Sequence, residues 1–140
     1  MISTHVSRVS AWFLLAGGLI LLFAPDVVLP RLVPGLPPTA AWVGQLLAAA
    51  CLALATLNWH SRSLLLGGIY GRSVVETNAM FYFVAATVLL NRFVRFPPPL
   101  AGWLVVTGMV PFAAVYAWLL FRGPFARDLE MRRARGGLPG

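Results

Sequence analysis

The chain has 140 residues, of which 59% are apolar and 11% charged, where a soluble domain carries roughly 25% charged residues. The formal charge is +7, made by eleven arginines and no lysine against Asp26, Glu76, Asp128 and Glu130. Five arginines (Arg122, Arg127, Arg132, Arg133 and Arg135) fall in the last nineteen residues, so the basic character belongs to a tail and excludes an extended nucleic-acid-binding face. Four apolar stretches, each near the roughly 20 residues that cross a hydrocarbon core, use up most of the length and leave no room for a soluble catalytic domain.

The first element is a helix over about 7–24. Arg8 ahead of the apolar run Val9–Phe23 has the outline of a secretory signal, but Leu22-Phe23-Ala24 places large residues where a processing site wants small ones, and Pro25 follows. We read the run as an uncleaved first span. Pro25 and Asp26 stop it, and the pair Gly17-Gly18 lets a neighbouring backbone come close. The connection Pro25–Pro38 carries five prolines among Val27, Val28, Leu29, Leu32, Val33 and Leu36. That is too apolar for a solvated loop and too rich in proline for a helix, so it is expected to fold over the bundle at the membrane interface.

A second span covers about 39–58, with small residues four apart in two rows, Gly44 with Ala48 and Ala49 with Ala53. Lipid is as apolar as leucine, so spans associate by close packing, and this helix is expected at the centre. Gln45 is a separate polar position on it. Trp59, His60, Ser61 and Arg62 form an aromatic-anchored polar exit. The third span, about 68–91, begins within Gly67-Gly68-Ile69-Tyr70-Gly71-Arg72, a pliable start, and ends at Arg92 and Arg95. Pro97-Pro98-Pro99 is a stiff connector. The fourth span, about 100–121, holds Pro111 near its midpoint, where a kink is expected. Residues 122–140 form an arginine-rich tail. With the N-terminus inside, eight arginines lie on the inner side (Arg8, Arg62, Arg72 and the five of the tail) and only Arg31, Arg92 and Arg95 outside. The positive-inside rule therefore puts both termini in the cytoplasm, and the fold expected is an all-α, four-helix transmembrane bundle of a bacterial inner membrane.

Polar residues that could carry chemistry gather where the second span ends and the third begins. Arg72 and Glu76 are four apart and share a helical face. Asn78, at 100° per residue, falls off that face and points to a different helix. One reading assembles Glu76, Arg72, Tyr70 and His60 into a polar pocket that binds a head group or relays a proton. The other makes Arg72–Glu76 a structural ion pair and Asn58 and Asn78 interhelical hydrogen-bond partners. His5 and His60 suggest a bis-imidazole haem only weakly, since His5 stands in a polar segment. No metal-ligand spacing, phosphate loop or nucleophile triad can be assembled, and no catalytic residue or cofactor is assigned. Trp12, Trp42, Trp103, Trp118, Phe81, Tyr82 and Phe83 are accounted for by interfacial belts and helix packing.

In the tail Pro124 can open a short helix, with Phe125 and Leu129 on one side. Arg127, Arg132, Arg133 and Arg135 then lie against an anionic leaflet, unless the tail is simply a positive flank that sets topology.

Asn58-Trp59, Gly67-Gly68-Ile69-Tyr70-Gly71-Arg72, Asn78 and the helix end Phe23-Ala24-Pro25 resemble small four-helix bacterial membrane proteins of the DoxX-like kind, over residues 10–120. The resemblance implies a bundle fold and no activity. The function expected is a non-catalytic bundle among membrane lipids that packs with a membrane protein, with copies of itself, or with a small lipophilic ligand. The alternative is a membrane enzyme or proton-coupled carrier working through Glu76.

Overall fold

The structure, a computed structural model, describes residues 2–125, 129, 130 and 134. Among these every regular element is helical: α1 (Ile2–Phe23), α2 (Pro25–Leu32), α3 (Ala41–His60), α4 (Arg72–Arg95) and α5 (Leu100–Arg122), with single 3₁₀ turns at Pro38–Ala40, Ser61–Ser63 and Ile69–Gly71. Four of the helices are long and apolar enough to cross a membrane. At 1.5 Å per residue, the 22 residues of α1 reach about 33 Å, which matches a hydrocarbon core of about 30 Å. Large apolar side chains cover much of the outer surface, with Trp12, Phe83 and Leu104 each about 60% exposed and Phe121 84%. Apolar exposure on that scale is unsuited to water.

The helices associate as two close pairs, α1 along α3 and α4 along α5. Small residues set the first pair. A Cβ at Gly18 would stand 3.0 Å from the Leu52 side chain and 3.3 Å from the Ala48 carbonyl oxygen. Aromatic side chains line the α4/α5 pair and, through Phe13, join it to α1. Tyr82 of α4 stacks on Phe112 (4.9 Å between centroids) and Tyr116 (5.8 Å) of α5, while Phe13 of α1 lies 5.4 Å from Phe112. Phe13 also fills the space a side chain at Gly108 would need, its ring edge 2.8 Å from that position. The seam between pairs is thus aromatic, and the seam within the α1/α3 pair is made of small residues.

Several expectations are corrected. The connection after the first span is not an irregular strap: residues 25–32 form α2. Pro25 at the first helical position has no intrahelical bond to lose, and Pro30 forfeits one bond in a helix of two turns, anchored where Pro25 and Leu29 press onto Gly44. α1 begins at Ile2, five residues before Ser7, because Ser3, Ser7 and Ser10 lie on one buried face and hold the polar segment in the bundle. α4 continues past Asn91, its last turn tied by an Arg95 Nε to Asn91 Oδ1 hydrogen bond and by the Arg92 guanidinium over the Phe96 ring. α3 is not central. Its Gly44–Ala48–Cys51–Ala55 face is buried, whereas Ala49 and Ala53 are exposed. Pro111 lies inside an uninterrupted α5.

The alternating directions of four spans bring the start of α1 and the end of α5 to the same end of the bundle, here called the terminal end. The loop from Ser61 to Gly71 covers it. Ser61–Ser63 packs on α1, Leu66 is fully buried, and Gly67, at φ +80°, touches Gly123 and Pro124 so closely that no side chain fits. Gly71 is equally confined by the Leu65 carbonyl oxygen. These glycines let the loop fold down as a cap.

Candidate functional site: a buried polar cluster under the terminal cap

Beneath the cap, α1, α3, α4 and α5 each contribute a polar side chain. Asn58, one turn before the end of α3, and Asn78, two turns into α4, are both completely buried. Asn78 Nδ2 donates to Asn58 Oδ1 at 2.7 Å and to the Val74 carbonyl at 2.8 Å. Asn58 Nδ2 donates to Asn78 Oδ1 at 2.8 Å and to Ser10 Oγ at 3.0 Å. The Val74 carbonyl can only accept, which fixes which way the Asn78 amide faces, and through the pair fixes Asn58. All four amide N–H groups are satisfied. Ser10 Oγ shares a further hydrogen bond with the Tyr82 hydroxyl at 2.8 Å, so α1, α3 and α4 meet in one chain of hydrogen bonds.

Two hydroxyls on the margin of this cluster are fully buried and, among the described residues, have no hydrogen-bond partner: Ser7, one turn nearer the terminus than Ser10, and Tyr116 on α5. Amides and unassisted hydroxyls are neutral at ordinary pH and need a neighbouring base to act as nucleophiles. Neither a carboxylate nor an imidazole takes part in the described hydrogen bonds of the cluster. Among the described residues no three His, Cys, Asp or Glu side chains come together as a metal site. What this arrangement does chemically is cross-link helices in an apolar surrounding.

The six polar residues singled out in the sequence do not form one pocket. Asn58 and Asn78 meet in the core. Arg72 and Glu76 pair on the outer flank of α4, Nε to Oε1 3.0 Å, with side chains 69% and 52% exposed. Tyr70 stands on the 3₁₀ turn before α4, 83% exposed. His60 faces outward, its Nδ1 2.9 Å from the Thr56 carbonyl oxygen. Gln45 is exposed near the opposite end of α3. Arg127, Arg132, Arg133 and Arg135 of the tail lie outside the described residues. Sequence reasoning missed Ser3, Ser7, Ser10, Tyr82 and Tyr116 as members of a site. A signal was present: serines at 3, 7 and 10 followed by Leu14 repeat at intervals of four, three and four, the spacing of one helical face.

A second feature lies on the outside of the α1/α3 pair, a groove of about 220 Å³. Ala11, Leu15 and Ala55 form its floor, Trp12 and Trp59 its walls, and Thr56 and His60 its polar flank. The two indoles meet edge to face at 5.9 Å. The Arg62 guanidinium lies 4.5 Å over the Trp59 ring and donates from Nη1 to the Trp59 carbonyl at 2.6 Å.

No family model, curated protein or solved structure matches the chain.

Proposed function

We propose that the protein is a small multi-pass protein of the bacterial inner membrane, with both termini in the cytoplasm, that works by association: it packs with a membrane partner or holds a lipophilic ligand, and does not turn a substrate over. The observation that carries this reading is the mutual pairing of Asn58 with Asn78 and of Arg72 with Glu76. Asn58 and Asn78 satisfy each other's amides in the core, and Glu76, the acid on which a carrier or enzyme would rely, is paired with Arg72 on an exposed flank. Arg8, Arg62, Arg72 and Arg122 belong to the terminal end and Arg31, Arg92 and Arg95 to the other, which favours a cytoplasmic terminal end. A resemblance to DoxX-like proteins would add the fold and nothing about activity.

Native mass spectrometry of the protein released gently from its own membrane tests the reading. We expect a stoichiometric partner or an unaltered lipophilic molecule, retained equally by wild type and Glu76→Gln. A small molecule held by wild type and lost from Glu76→Gln would overturn it in favour of a pocket built on Glu76.

A further inference from the structure

The α1/α3 groove is too small for an enclosed ligand, and among the described residues the charged side chains beside it, Arg8 and Arg62, are both cations. Sites that envelop a whole small molecule span roughly 300–1,000 Å³, whereas this one is about 220 Å³, open along its side and apolar on its floor. It suits a segment of a longer molecule whose remainder stays in the bilayer. At its terminal end the apolar lining gives way to cations. Arg8 precedes Ala11 and Trp12 by one helical turn and so projects from the same face, toward the helix N-terminus; it is exposed. Arg62 is held in place by its stack on Trp59, and with one N–H spent on the Trp59 carbonyl, four of its five donors remain. Among the described residues neither arginine meets a carboxylate, the ion pair found there being Arg72–Glu76. Between Ile2 and Tyr70 the only acid is Asp26, in the first turn of α2 beyond the far end of α1.

We propose that this groove is a binding site for an anionic phospholipid, one acyl chain lying along the floor of Ala11, Leu15 and Ala55 beside the Trp12–Trp59 pair and the phosphate against Arg8 and Arg62. This rests on the association reading and names the class of its ligand. The occupant follows from charge complementarity and size together. A lipid without net charge would leave the two guanidinium charges un-neutralised, and a soluble anion would leave the apolar groove empty. The site depends on an aromatic groove that only the α1/α3 pairing creates.

The test is a native mass-spectrometric titration of the full chain, delipidated in mild detergent, with phosphatidylglycerol and phosphatidylcholine of the same chains, and with glycerol phosphate as a chainless control. Near an anionic surface each arginine contributes a factor of about five, so the two together should favour phosphatidylglycerol roughly 30-fold. The double variant Arg8→Gln/Arg62→Gln should bring phosphatidylglycerol down to the phosphatidylcholine level. Thr56→Phe fills the groove from its exposed edge, where the Thr56 hydroxyl bonds only its own helix at Leu52, and should release both lipids with helicity and unfolding midpoint unchanged. Equal retention of the two lipids by wild type, a preference that survives in the double variant, retention by a folded Thr56→Phe protein, or retention of glycerol phosphate would each overturn the site. A protein partner retained in place of lipid would overturn the site and leave the association reading intact. Phosphatidylglycerol returned at an altered mass would overturn both.

Discussion

Replacing Asn78 by leucine removes two interhelical hydrogen bonds, of 2.7 and 2.8 Å, and leaves the Asn58 carbonyl and one of its N–H groups buried without partners. Interhelical hydrogen bonds in apolar surroundings contribute roughly 0.6–2 kcal/mol each, so the single substitution should cost about 2 kcal/mol, and Asn58→Leu about the same. The double substitution behaves differently. Once both amides are gone no unpaired group remains in the pair, and Ser10 keeps its bond to Tyr82. Replacing both partners by apolar groups of similar shape is close to neutral, so the double variant should be no less stable than either single one. The cycle then closes with a coupling of at least about 2 kcal/mol, as expected for residues in direct contact. Reversible unfolding in mixed micelles of increasing dodecyl sulfate content, followed by tryptophan fluorescence, measures all four corners. Costs that add to within about 0.5 kcal/mol would refute the view that the two amides act as a closed unit.

Neighbouring glycines in α1 should respond oppositely. Gly17→Ala meets nothing within 4 Å and should stabilise the helix by up to about 1 kcal/mol, whereas Gly18→Leu, driven against Leu52 and Ala48, should cost about 1–3 kcal/mol in the same titration. Gly44→Leu should displace α2, because Leu29 and Pro25 occupy the space of its side chain; hydrogen exchange should rise across residues 25–33 and stay unchanged in α4 and α5. Cys51, 5% exposed, should resist a maleimide in the folded protein and react in step with the unfolding transition. Rapid labelling without unfolding would show that the α1/α3 pair opens on its own.

The span lengths and the apolar excess were legible from the chain, because a helix able to cross lipid must satisfy its own backbone and needs a fixed length. These are one-dimensional constraints, and the four long helices appear within a few residues of where hydropathy puts them, save at the start of α1 and the end of α4. Facing was harder to read. In water, polar residues mark the outside of a helix, but α1 and α3 are apolar nearly all round, so Ala49–Ala53 and Gly44–Ala48 look alike in sequence. Packing alone turned one row inward and the other out. The Arg72–Glu76 pair followed from spacing on a single helix, yet whether it lined a pocket depended on the rotation of α4, which buries Asn78 and turns Glu76 away. Ser10, Asn58, Asn78 and Tyr82 come from three helices and are separated by up to 72 positions. No local pattern relates them. Their meeting was decided by tertiary structure: burying these amides without partners would be costly, and the partners that join them lie on other helices.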